Sequence, residues 1–231
     1  MNSETQNVFE RYEKRKNNLN VQRNLDNIYF NHYAKSERDL KYVEIIKSRF
    51  ENSDAIKILE IGAGSGGNLF LLKQIGFKWE NIFANELLPD RIESLKDNFP
   101  LIQIFEGDAS EISDNLSNTF DIVFQSTVFT SILDSGFKQK LAKKMWSLVK
   151  PGGMVLWYDF AFDNPQNKDV KGIKKREIRE LFAESNKITF NKTTLAPPIG
   201  RRVKKLYPFF NLCPLLRTHL IAVIEKPTSI Q

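Results

Sequence analysis

The chain has 231 residues, a formal net charge of +6 and a single cysteine, Cys213. A domain of that length buries about 70 % or more of its unfolded surface, so it needs no metal or disulfide to hold it together, and one cysteine excludes an internal disulfide framework and fits a reducing, cytoplasmic setting. No apolar run nears the ~20 residues of a membrane span and the polar N-terminus lacks a signal-peptide core, so a soluble protein is expected.

In chain order, residues 1 to about 20 are polar and read as a loosely ordered arm. Residues 21–50 have a helical period, with Leu40, Val43, Ile46 and Phe50 on one face, so a helical arm over 1–50 precedes the first strand. Short strands and helices then alternate: strand 57–61, helix 68–75, strand 82–85, helix 89–98 and strand 102–105. The second half continues with strand 121–124, helix 137–149, strand 154–158, helix 174–184, strand 188–194 and strand 219–225. Lys150-Pro151-Gly152-Gly153 is read as a turn that ends helix 137–149 and starts the next strand. This alternation predicts one α/β domain over 51–231, a mostly parallel sheet covered on both faces. Residues 195–216, stiffened by two proline clusters, are expected to form a lid over the site, with Tyr207, Phe209, Phe210 and Leu212 covering the acceptor or forming a satellite core.

The chemistry concentrates at Ile58-Leu-Glu-Ile-Gly-Ala-Gly-Ser-Gly-Gly-Asn-Leu69. Its glycines allow close backbone approach and positive φ in a strand-to-helix turn, as a nucleotide loop requires. Both a dinucleotide and a nucleoside with an amino-acid tail suit such a loop. Two features disfavour the dinucleotide: a helical arm comes before the first strand, and no second substrate-binding half follows the sheet. Glu60 adds a third, since its carboxylate attracts the amino group of a zwitterionic tail and repels a pyrophosphate. S-adenosylmethionine has that tail and no phosphate. Glu86, about twenty residues on and beside Leu87, suits ribose hydroxyls in either case. Asp108 suits the adenine amino group with the Ala109 amide on the ring, or instead caps the turn that begins near Ser110.

These segments, with NELLPDRI, GDA, FDIVFQSTVFTSILD and KPGGMVLWYDF, resemble class I S-adenosylmethionine-dependent methyltransferases over roughly residues 25–226. The resemblance implies a Rossmann-like three-layer sandwich with a seven-stranded sheet in the order 3-2-1-4-5-7-6 and strand 7 antiparallel. It also implies that Gly62, Ala63, Gly64 and Gly66 line the cofactor. Glu60 would then face its methionine end, Glu86 and Leu87 the ribose, Asp108 and Ala109 the adenine, and Gln125 the sulfonium. S-adenosylhomocysteine would be the product. The segments 157–173 and 194–227 resemble a bacterial subgroup associated with surface-polysaccharide biosynthesis, which implies a sugar, nucleotide-sugar or glycan hydroxyl as acceptor.

Given that topology, Tyr158, Asp159, Thr194 and His219 reach the carboxyl edge of the sheet, and His219, Asp159 and Tyr158 are the candidates to take a hydroxyl proton. His219 is expected to titrate near 6.5. Tyr29 to Tyr33 are expected to close over the cofactor. Arg201, Arg202 and Arg217 are candidates to grasp an anionic group on a small-molecule or glycan acceptor. Asp163 and Asn164 hint at a cation site, but Gln125 stands where such a site wants an acid, so no metal is expected. Three other readings remain. One is RNA methylation, supported by the basic last third and opposed by the lack of an appended RNA-binding module, so nucleic acid is disfavoured. The others are binding of the cofactor without catalysis, and a lipid-linked acceptor, with Leu206-Tyr-Pro-Phe-Phe-Asn-Leu-Cys-Pro-Leu-Leu216 in peripheral contact with a membrane. The oligomeric state is not legible.

Overall fold

The protein is described by a computed structural model that covers residues 3–18, 27–163 and 167–228. Helices α1 (Ser3–Asn18) and α2 (Ile28–Arg49) precede β1 (Ile58–Ile61). Then come α3 (Leu69–Ile75), β2 (Ile82–Glu86), α4 (Pro89–Asn98), β3 (Gln103–Glu106) and β4 (Phe120–Ser126). The chain continues through α5 (Ser135–Leu148), β5 (Val149–Phe160), α6 (Lys175–Leu181), β6 (Lys187–Leu195), α7 (Pro197–Val203), α8 (Tyr207–Phe210) and β7 (Arg217–Glu225). The seven strands lie in the order β3-β2-β1-β4-β5-β7-β6. β1 to β5 run parallel and β7 pairs antiparallel with both β5 and β6, as the resemblance implied.

Strand residues alternate between two cores because successive side chains of a strand leave on opposite faces. Leu59, Ile61, Val123, Val155 and Trp157 pack under α5 and α6 with Val8 of α1. Ile58, Ile122, Phe124, Leu156 and Tyr158 pack on the other face, against Tyr42 and Ile46 of α2 and Leu69, Leu72 and Leu95 of α3 and α4. A third, smaller core joins Phe30 of α2 to Leu195 and Tyr207.

Two local expectations are corrected. The Pro-Gly-Gly stretch is no separate turn: β5 runs through it, and the register against β4 jumps from Phe120↔Val149 to Ile122↔Met154. Gly152 at φ +78 and the backbone bonds of Gly152 and Gly153 to Lys226 and Pro227 fix that bulge beside the end of β7. The N-terminal residues within 3–18 are a docked helix, not a loose arm. Arg11 Nη2 donates to Glu4 Oε1 at 2.6 Å and to the Ser131 carbonyl at 3.0 Å, and Glu4 Oε1 accepts the Leu133 amide at 2.9 Å. Among the described residues no helix is long and apolar enough to cross a membrane.

Gly66 holds the loop after β1 against α4. It has φ +82, and a Cβ there would come within 2.2 Å of the Phe99 ring and 3.1 Å of Leu95. Gly66→Ala is therefore expected to destabilise the protein by about 2 kcal/mol or more, whereas Gly64→Ala, which meets nothing within 4 Å, carries only the positive-φ strain of about 1 kcal/mol. Urea denaturation of the two variants measures the difference.

Candidate active site

A cavity of about 440 Å³ opens along the carboxyl ends of β1, β2 and β4, within the range of small-ligand pockets and at the edge where open α/β sheets bind ligands. Three acids from successive strand ends line it: Glu60, Glu86 and Asp108. Their partners differ. Glu86 is tied to the backbone through both oxygens: Oε2 accepts the Gly64 amide at 2.7 Å, and Oε1 accepts the Leu87 and Leu88 amides at 2.8 and 2.9 Å. Asp108 accepts the Ser110 amide on Oδ1 at 2.8 Å, as a cap, and the Thr5 hydroxyl on Oδ2 at 2.6 Å. Glu60 is 1 % exposed; its Oε1 accepts from Asn68 Nδ2 at 2.6 Å, while Oε2 is buried without any partner.

That unpartnered oxygen gives the cavity its chemistry. Burial pushes the Glu60 carboxyl up to about 8, against the opposing pull of Asn68 and Arg38. A buried acceptor left unmade is costly, so it calls for a donor from a ligand, and a cation satisfies both the hydrogen bond and the charge. Arg38 of α2 stands beside it. Its Nη2 donates to Asn68 Oδ1 at 3.0 Å, and its guanidinium covers the Tyr158 ring at 5.4 Å and the Tyr42 ring at 5.6 Å. An acid and an arginine bridged by one asparagine match the ammonium and carboxylate of an amino-acid tail. The glycine loop is open at Gly64, where a Cβ would fill space that a ligand can approach. The far end, near Asp108, is lined by Thr5, Val8 and Tyr12 of α1 together with Ala109 and Ile132.

Residues 58–153 match the family described as a methyltransferase domain. Over those residues the chain is similar to that family. S-adenosylmethionine, the cofactor that the sequence motifs imply, has a zwitterionic tail that the Glu60–Asn68–Arg38 cluster fits. No curated protein sequence matches the chain. A solved structure described as a SAM-dependent methyltransferase from Archaeoglobus fulgidus superposes with a TM-score of 0.56 at 14 % identity, covering 86 % of this chain and 100 % of that one. The 1,6-didemethyltoxoflavin-N1-methyltransferase of Burkholderia thailandensis, solved with S-adenosylhomocysteine, gives 0.59 at 15 % identity over 82 % and 78 %. The CurJ carbon methyltransferase gives 0.60 at 12 % identity over 82 % and 54 %. At these identities the likeness is one of fold.

Of the cofactor residues expected from the sequence, Glu60, Gly62, Ala63, Gly64, Glu86, Leu87, Asp108 and Ala109 line the cavity, and Gly66 and Gln125 do not. Gly66 faces Phe99. Gln125 lies on the opposite face of the sheet from Glu60 and is fully buried, its Oε1 accepting the Val128 amide at 3.0 Å and its Nε2 donating to Asp159 Oδ2 at 3.1 Å.

The three catalytic candidates also lie outside the cavity lining. Asp159 is sealed beneath Gln125 and the Thr130 hydroxyl, which donates at 2.6 Å, and burial pushes its carboxyl up to about 7. Tyr158 shares a 3.1 Å hydrogen bond with Thr194. His219 stacks on Tyr158 with ring centroids 5.3 Å apart, and burial depresses it to about 4, so it stays neutral at physiological pH instead of titrating near 6.5. Arg201, Arg202 and Arg217 do not reach the cavity: Arg201 covers the Phe30 ring, Arg202 is exposed, and Arg217 donates to the carbonyls of Asn211 and Lys192. Tyr33 stacks on Tyr207 at 5.4 Å, away from the lining. Asp163 Oδ1 accepts the Gly172 amide, Asn164 lies outside the described residues, and among those described no acid, histidine or cysteine group is arranged to hold a metal.

Lining residues that sequence reasoning missed include Thr5, Tyr12, Lys35 and Arg38 of the N-terminal helices, Asn68 just before α3, and Ser126 and Thr127 at the end of β4. Arg38 had a signal, a lone arginine one helical turn from the aromatic Tyr42 on the face that docks the sheet.

The buried carboxyls make stability depend on pH. Between pH 6.5 and 8 the unfolded chain has both Glu60 and Asp159 ionised, while the folded protein holds the Glu60 proton up to about 8 and the Asp159 proton to about 7. The unfolded state then binds fewer protons, so stability falls as pH rises across this window, by about 2 kcal/mol from Glu60 alone. His219 acts below 6.5 and with the opposite sign. Thermal melts at pH 6.5 and 8 should show the loss, and Glu60→Gln should remove most of it.

Proposed function

We propose that the protein transfers the methyl group of S-adenosylmethionine to a hydroxyl of a small-molecule or glycan acceptor, such as a sugar, a nucleotide-sugar or a precursor of a surface polysaccharide. The observation that carries the donor half is the partnerless Glu60 Oε2 beside Arg38. Glu60 would take the ammonium and Arg38 the carboxylate of the cofactor's tail. The Gly62–Gly64 backbone would lie along its body, and Glu86, having one lone pair free on Oε2, would accept from the ribose. When bound, the cofactor supplies a methyl group on a sulfonium, already activated toward a nucleophile.

The acceptor half is supported by the polar rim of the cavity at Lys35, Ser126 and Thr127. Thr127 has φ +60, and its amide donates to the Tyr158 carbonyl at 2.8 Å. A β-branched residue held there stores strain, a feature that concentrates at sites that must present a group in one orientation. Ser126 and Thr127 are suited to hold the acceptor hydroxyl. No histidine lines the cavity among the described residues, so the reading relies on alignment, which supplies much of such an acceleration, with the hydroxyl proton passing to solvent water as the O–CH3 bond forms and the S–CH3 bond breaks. The Gln125-Ser126-Thr127-Val128 sequence at the end of β4 also lacks the Asn-Pro-Pro-aromatic run of enzymes that methylate base amino groups.

Two measurements test this. Calorimetry at pH 7 in buffers of different ionisation enthalpy should detect release of a proton on binding S-adenosylmethionine, because an ammonium beside Glu60 lowers its pKa. Glu60→Gln should abolish that release and weaken binding by about tenfold or more. Unchanged affinity and proton count would overturn the assignment of Glu60. Labelled S-adenosylmethionine offered to nucleotide sugars, sugar phosphates and surface glycans should yield a methyl ether, and label found only in RNA or in amines would overturn the acceptor.

A further inference from the structure

From Ser185 through Ile224 the chain contains no Asp or Glu, yet it carries Lys187, Lys192, Arg201, Arg202, Lys204, Lys205 and Arg217. Several surface lysines elsewhere pair with acids, as in Lys35–Asp39, Lys140–Glu111 and Lys144–Asp114. The middle of this stretch is a series of short tight turns: α7, the 3-10 turn Lys204–Leu206, α8 and the 3-10 turn Pro214–Leu216. In such winding, residues three apart fall on one side.

Two rows result. The inner row, Val203, Tyr207, Phe210 and Leu216, packs on Phe30 and Tyr33 of α2. The outer row, Leu206, Phe209, Leu212 and Leu215, is 61, 71, 74 and 84 % exposed. The last three are the most exposed large hydrophobic side chains among the described residues. Cationic residues border that row: Arg202 and Lys205 are exposed, and Lys205 Nζ lies 5.8 Å from the Tyr29 ring centroid.

We propose that the outer face of residues 201–215 docks on an anionic phospholipid surface, with Leu206, Phe209, Leu212 and Leu215 entering the headgroup–acyl boundary and Arg202 and Lys205 meeting lipid phosphates. An exposed apolar row bordered by cations such as Arg202 and Lys205 is the pattern of segments that lie in a membrane interface. A nucleic acid would use the charges and leave the leucines in water. A single row is also narrow for a protein partner, whose stable interfaces take roughly 800 Å² per side. The surface is near the cavity: Tyr29 and Lys35 both lie on α2, about 9 Å apart at 1.5 Å of rise per residue, and Lys35 lines the cavity rim. This inference does not depend on the acceptor.

Cys213, exposed and the only cysteine, sits between Leu212 and Pro214 in this face and provides a reporter. An environment-sensitive fluorophore on Cys213 of the full chain should shift to the blue with phosphatidylcholine vesicles containing phosphatidylglycerol, and much less with phosphatidylcholine alone. Unlabelled protein should co-sediment with the anionic vesicles and be released by salt. Phe209→Ser/Leu212→Ser/Leu215→Ser should lower partitioning by about tenfold or more at unchanged Tm, and Arg202→Gln/Lys205→Gln should do the same. The proposal is overturned by absence of vesicle binding at low salt, by equal binding to both vesicles, or by a triple variant that binds like the native protein. It is equally overturned by a lipid-free dimer that the triple variant abolishes, since a second copy would then cover the row, or by RNA retention without vesicle binding.

Discussion

The carboxylate of Glu86 organises the cavity. It gathers three backbone amides, those of Gly64, Leu87 and Leu88, from the loop after β1 and the start of α4. Two segments with no regular partner for those donors are thereby tied at one point, and the cost of leaving the amides unmade makes the arrangement resistant to change. With Gly64 held, the chain from Gly62 to Asn68 curls over the end of β1, and Asn68 arrives where it can clamp Glu60. Asn85 extends the tie, its backbone carbonyl accepting the Ala63 amide and its side chain donating to the carbonyls of Phe105 and Gly107. The ends of β1, β2 and β3 are thus one hydrogen-bonded unit.

The alternation of strands and helices was legible because each buried strand is a short apolar run bounded by turn residues, and the segment 89–98 was read to the residue. The glycine loop and the three acids were also legible, because close approach and strand-end position leave marks in residue type. What was not legible is which face of the sheet a strand-end residue addresses. Ile61 pairs with Gln125 and Glu60 with Phe124, so Gln125 leaves on the face opposite Glu60. Asp159 shares that face and is satisfied there by Gln125 and Thr130. Reaching the correct edge is necessary for a site residue, but parity decides the rest.

The helices before the sheet were the second gap. Their polar sequence marks an exposed surface as readily as it marks a docked one, and it is tertiary partners that decide. Glu4 shows this: burial alone would push its carboxyl up, yet the Leu133 amide, Arg11 and Asn7 all donate to it and hold it below the usual carboxylate range. Those partners are more than a hundred residues away or within the same helix, and no period in residues 3–18 records them. Likewise Arg38 is an ordinary helical arginine until Asn68, Tyr42 and Tyr158 are brought around it.

The hydrogen bond from Thr5 to Asp108 makes α1 an internal competitor. A ligand that donates to Asp108 Oδ2 along the direction that Thr5 uses must displace a hydroxyl that is tethered to the same molecule and therefore present at high effective concentration. The ligand's apparent affinity is lowered by that exchange unless α1 settles again on the ligand's outer side, where Val8 and Tyr12 already face the cavity. In that event departure of the ligand requires the helix to lift first, and residence time is governed by the anchoring of Glu4 and Arg11 to Leu133 and Ser131. A contact remote from the reacting atoms would then set the pace of turnover through release.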